Sequence, residues 1–192
     1  MKRKLFFLLV LTCSNISAIW AQEMIRNLGF EKMDITGNPI SWGQLNSKEK
    51  YTMRLDNKVA HSGQCSFLIA INDATGDRGY AMLTSGIIAD NLSDKNKIKI
   101  NAYIKTDNFE DGTATIGLQL NTEDRVIKEV NSFEQNPSGT TDWTLHTIEL
   151  PISRDVKFIR FVFQVTGSGK AWIDDFEILM DGVAIDELMV IH

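Results

Sequence analysis

The sequence predicts an all-β sandwich, and three observations predict it. Apolar residues alternate with polar ones in segment after segment. Clusters of Gly, Pro, Asn, Asp and Ser separate those segments at short intervals. No stretch keeps a period of 3.6 over the roughly ten residues that a helix needs.

The clearest strands are Ile98 to Thr106, Thr113 to Asn121 and Val156 to Val165. In the first, Ile98, Ile100, Ala102 and Ile104 line one face; in the second, Ala114, Ile116, Leu118 and Leu120; in the third, Ile159, Phe161, Phe163 and Val165. Residues two apart on a strand point the same way, so each segment turns an apolar face inward and keeps a polar one. Weaker strands are Tyr51 to Leu55, Ser66 to Ile71, Tyr80 to Ser85, Trp143 to Leu150 and Ala171 to Met180. Turns fall at Gly37-Asn38-Pro39, Asp73 to Gly76, Asp107 to Gly112, Asn136 to Gly139 and Gly167-Ser168-Gly169. A short tail, Asp181 to His192, opens with an Asp181-Gly182 turn.

Residues 1–21 have the form of a secretory signal peptide. Lys2, Arg3 and Lys4 precede the apolar run Leu5 to Leu11, and small residues lead to Ala18 and Ala21, after which cleavage is expected. The apolar run is shorter than the roughly 20 residues a membrane span needs, and no later segment approaches that length. Residues 22–192 then form one domain, of a size that needs no metal or disulfide to build a core. The expected location is periplasmic or secreted. Taking three cations from a formal charge of -5 leaves -8, an acidic balance that argues against nucleic acid as a partner. Cys65 is the one cysteine outside the signal; next to Phe67-Leu68-Ile69 it is expected to be a buried thiol.

The order of short motifs resembles carbohydrate-binding modules of the galactose-binding-like jelly-roll superfamily. They are Asn27-Leu28-Gly29-Phe30-Glu31, Gly37 to Trp42, Tyr51 to Asp56, His61-Ser62-Gly63, Ala102 to Thr106, Gly139 to Trp143, and Gly169 to Phe176. Tyr103-Ile104-Lys105-Thr106, followed by Asp111-Gly112, is also similar to a noncatalytic domain preceding peptidase or esterase domains in exported Bacteroidetes proteins. The resemblance implies a jelly-roll β-sandwich and a binding or accessory role. It also implies a structural calcium on Glu31 with Asp174 or Asp175, which suits a hard cation that takes oxygen ligands. The alternative is that Glu31 accepts backbone hydrogen bonds and the Asp pair faces solvent. Trp42, Trp143 and Trp172 belong to motifs that brace such a sandwich.

The polar strand faces are the candidate ligand surface. One offers Asn101, Tyr103 and Lys105, the next Thr115, Gly117, Gln119 and Asn121, and the third Arg160, Val162 and Gln164. Amides and Arg pair with sugar hydroxyls, Tyr103 can stack on a sugar ring, and Gly117 would leave a dip beneath a ligand. Tyr80 is a rim candidate. The partner expected is a polysaccharide or oligosaccharide; the alternative is another envelope protein docked on the same wet sheet or a free edge. The same face is also what solubility alone requires of an antiparallel sheet. Catalysis has little support. No Ser lies in a Gly-x-Ser-x-Gly elbow, and His61, His146 and His192 lack zinc-ligand spacing. The acidic pairs, Asp174-Asp175 among them, are strand neighbours expected to point apart, whereas glycosidases need two carboxylates facing across a cleft.

Overall fold

A computed structural model describes residues 27–71, 79–89, 92 and 94–188; the expected signal sequence, residues 1–21, lies outside them. Eleven strands make up the described fold: β1 Gly43–Asn46, β2 Tyr51–Asp56, β3 Ser66–Ile71, β4 Ala81–Ile88, β5 Lys97–Glu110, β6 Ala114–Asn121, β7 Val126–Asn131, β8 Gly139–Pro151, β9 Phe158–Val165, β10 Ser168–Met180 and β11 Val183–Ala184. A single helical turn, α1, covers Ile185–Leu188. All eight strands expected from the sequence are present. Three short or edge strands, β1, β7 and β11, join them.

The strands form two antiparallel sheets packed face to face as a jelly-roll sandwich. The first runs β1-β4-β9-β6-β7; the second runs β2-β3-β10-β5-β8, with β11 added to β10. Period-two alternation places the core between them. Leu83, Ile116, Leu118, Phe161 and Phe163 from the first sheet meet Phe67, Ile69, Ile100, Ile104 and Ile173 from the second. Removing such side chains from water supplies the dominant favourable contribution to folding.

The segment before β1 closes one end of the sandwich. Phe30 and Trp42 pack with their rings tilted by 38° and centroids 5.1 Å apart, and Trp42 meets Phe176 at 5.1 Å and Phe161 edge-on at 5.5 Å. Asn27 ties this segment together: its amide donates to the carbonyls of Lys32 and Ile40, its Oδ1 accepts from Lys32 N–H, and its carbonyl accepts from the Trp42 indole. Trp42 is thus the core brace expected of it.

The sheet order corrects one expectation directly. Asn101, Tyr103 and Lys105 lie on β5 in the second sheet, whereas Thr115, Gln119, Arg160 and Gln164 lie on β6 and β9 in the first. All seven point away from the core. Because the sheets share that core, their polar faces look in opposite directions, and the seven cannot line one groove.

Candidate functional site

Part of the outer face of the second sheet is covered by the protein itself. Residues 57–65, between β2 and β3, lie over it as a strap. Asp174 Oδ2 accepts from the backbone N–H of His61 (2.8 Å) and Ser62 (3.3 Å). The two oxygens of Asp175 take the His61 ring nitrogen Nδ1 (2.7 Å) and the Ser62 hydroxyl (2.8 Å). Glu31 Oε1 accepts from the N–H groups of Gln64 (2.9 Å) and Cys65 (3.1 Å).

Strand neighbours should point apart, yet Asp174 and Asp175 both address the strap. The pairing of β10 with β5 shifts register between Asp174 and Glu177, and Asp175 has φ +47°. That bulge inserts one extra residue on the outer side and re-aims its carboxylate. Asp174 is fully buried, and loss of hydration, countered only in part by its N–H donors, raises its pKa to about 6.

Calcium would need about six to eight oxygens around one point. Here Glu31, Asp174 and Asp175 act as acceptors for the strap, and among the described residues no three His, Cys, Asp or Glu side chains gather as a metal would require. The donor set, as arranged, is committed to N–H and O–H groups rather than opened toward a cation.

Beneath the strap, Trp172 is buried on the outer side of β10 and donates its indole N–H to Asp56 (3.0 Å). Burial works to raise the Asp56 pKa, but the Trp172, Lys58 and Arg54 donors prevail and lower it. Cys65 is buried, and loss of hydration raises its thiol pKa, as a structural thiol requires. The His61 ring lies flat on Tyr103, with centroids 3.6 Å apart and planes 15° apart, and meets Trp143 edge-on at 5.7 Å. The stacking surface foreseen on Tyr103 is therefore covered on one side by imidazole. Asn101 is engaged by Glu177 (2.6 Å) and Thr147 (2.8 Å), and Lys105 by Asp142 (2.8 Å).

The outer face of the first sheet is different. Register places Arg160 between Gly86 and Gln119, with Glu129 beyond Gln119 on β7; Gln164 stands between Met82 and Thr115; Val162 stands between Thr84 and Gly117. Among the described residues, the side chains of Thr115, Gln119, Arg160 and Gln164 have no hydrogen bond or ion pair within the chain. Gln119 Oε1 is buried and lacks any partner. A buried amide oxygen without a donor costs about 1–3 kcal/mol.

Two glycines shape this face. A Cβ at Gly86 would lie 2.4 Å from the Phe158 ring, and one at Gly117 would lie 2.7 Å from a Val162 methyl. Gly117 therefore does not leave an open dip as expected: Val162 fills it. Gly86 lets the Phe158 ring settle against the sheet, and the Arg160 guanidinium sits 5.8 Å from that ring's centroid, a cation–π contact. Tyr80, exposed just before β4, stays a rim candidate.

His146 is a polar residue that the sequence singled out only as too isolated for zinc. It lies inside the sandwich opposite Ala102, with Nδ1 3.3 Å from the Ser132 hydroxyl and Nε2 buried without a partner. Burial alone lowers its pKa to about 4.

No family model matches the chain. A curated protein of Bacillus subtilis (strain 168), the uncharacterised HTH-type transcriptional regulator YbfP, is 21% identical over 126 residues, or 65% of this chain. The chain spans 42% of that relative's length.

Solved structures share the fold. The carbohydrate-binding module TmCBM61, in complex with β-1,4-galactotriose, has a TM-score of 0.54 at 17% identity, covering 81% of this chain and 96% of its own. A C-terminal family 22 carbohydrate-binding module of Clostridium thermocellum Xyn10B has a TM-score of 0.52 at 15% identity, over 81% and 91%. A Stig cyclase from Fischerella sp. TAU has a TM-score of 0.56 at 14% identity, over 82% and 96%. At these identities the likeness concerns architecture, and the architecture is shared by binding modules and enzymes.

Proposed function

We propose that the chain is a noncatalytic glycan-binding or accessory module of an exported bacterial protein, and that the outer face of the β1-β4-β9-β6-β7 sheet is its ligand surface. One observation carries this reading: the Arg160 guanidinium and the Gln164 amide on β9 reach the outer face with no partners of their own, beside a Gln119 amide on β6 whose buried oxygen is also unmatched. An oligosaccharide, with donors and acceptors around every ring, supplies what such a face lacks. The carbohydrate-binding modules among the fold neighbours support it, and the signal-like N-terminus supports export. The opposite face fits less well, because the strap covers its Tyr103 and Asp175 region and Asn101 and Lys105 are already paired.

An array of plant, host and bacterial polysaccharides, followed by calorimetry on positives, tests the proposal. Saturable binding to at least one class is expected; inertness toward all of them ends it. A second reading, docking of an envelope protein, is favoured by β7, an exposed edge strand with free hydrogen-bonding positions along Val126–Asn131. Stoichiometric capture of one protein, with no glycan binding, would decide for it.

The calcium implied by resemblance is part of the proposal for Glu31, Asp174 and Asp175. Their carboxylates would have to exchange N–H donors for the ion. Millimolar calcium raising the melting temperature, reversed by chelator, is the expected sign; an unchanged melting temperature in both removes the metal.

A further inference from the structure

We infer that the glycan taken by this face carries a carboxylate, received by Arg160 on its Gly86 side. The inference rests on the proposed role of the first sheet and names the ligand's chemistry. Arg160 is exposed and has no acidic partner among the described residues, in a chain with more acids than bases. Its neighbours across the sheet are Gly86, which has no side chain, and Gln119, which is uncharged.

The guanidinium is also placed rather than free. The Phe158 ring, seated against Gly86, lies beneath it at 5.8 Å. That contact leaves the planar fork of N–H donors available, the geometry that pairs with a carboxylate through two parallel hydrogen bonds. On the other side of Arg160, Oε1 of Gln119 is unpaired but buried, so the exposed guanidinium is the group that meets a ligand. A neutral sugar offers the fork only separate hydroxyls. A uronic acid offers it a carboxylate that takes two of its donors in parallel.

Glu129 is the one acid in this row. It stands on β7 beyond Gln119, so a carboxylate held on the Gly86 side has Arg160 and Gln119 between itself and that charge.

Affinity electrophoresis separates the two levels of the proposal. Gels containing polygalacturonate or alginate, both uronic-acid polymers, are run beside gels containing neutral β-1,4-galactan. The expected result is stronger retardation in at least one acidic gel, weakened by salt as an ionic contact must be. Arg160→Ala should weaken it roughly tenfold to hundredfold, the range for a hydrogen bond to a charged group. Arg160→Lys, which keeps the charge but not the fork, should restore only part.

Retardation in galactan equal to or greater than in both acidic gels, unchanged by Arg160→Ala, overturns the carboxylate and leaves the glycan reading standing. Binding to neither acidic polymer also overturns it. Inertness there and across the glycan array removes both.

Discussion

Two buried groups, His146 and Asp174, pull stability in opposite directions between pH 4 and 6.5. His146 has a pKa of about 4 in the fold against about 6.5 in an unfolded chain, so its neutral form stabilises the protein above pH 6.5. That contribution is lost as pH falls toward 4. Asp174 has a pKa of about 6 against 3.8 unfolded. Its stabilising, protonated form is fully present below pH 3.8, and the benefit is lost as pH rises through 6. Each shift is on the order of a few kcal/mol, and between pH 4 and 6 the two oppose each other. Urea midpoints at pH 6.5, 5 and 4 check this. His146→Leu should become more stable from pH 6 to 4, and Asp174→Asn less stable; parallel profiles for both variants and the parent would contradict the assignment. His146 was partly legible in the sequence, since it shares the phase of Ile148 and Leu150 on β8. The orphan oxygen of Gln119 was not, because burial of one atom depends on neighbours from three strands.

Among the elements, the strap at residues 57–65 decides which face of the sandwich stays open. Gly63 holds φ +60°, and a Cβ there would lie 2.3 Å from Glu31 Oε1. Gly63→Ala therefore meets backbone strain and displaces the carboxylate that holds Gln64 and Cys65. A loss of about 1–3 kcal/mol is expected in chemical denaturation. An unchanged midpoint would mean that Glu31 is not an anchor. The strands with one wet and one buried face were readable because period two survives in their residues. The edge strands β1 and β7 were missed because they bury too little to show it: Gly43, Gln44 and Leu45 are exposed, as are Val126, Lys128, Glu129 and Asn131. The bulge at Asp175 was hidden for another reason. A non-glycine residue in the left-handed region leaves no mark in composition, so two acids that alternation would separate converge on one loop.

For the whole molecule, alternation specified what points inward but not which strands share a sheet. Strand pairing joins residues far apart in the chain: β4 with β9, β3 with β10 and β1 with β4. Tyr103 and Gln119 are each on a polar face, as their sequence phase implies. They lie on opposite sides because face-to-face packing turns those faces apart. The motif order did carry the architecture, and solved sandwiches match over about four-fifths of the chain.

The central claim is that recognition belongs to the sheet containing β6 and β9. It is tested most directly by calorimetry with the strongest array ligand on two double variants. Gln119→Ala with Gln164→Ala should weaken binding about tenfold or more, whereas Asn101→Ala with Tyr103→Ala should leave the dissociation constant within roughly twofold, inside the spread of a single modest contact. The reverse pattern, with affinity lost at Asn101 and Tyr103 and kept at Gln119 and Gln164, would contradict it.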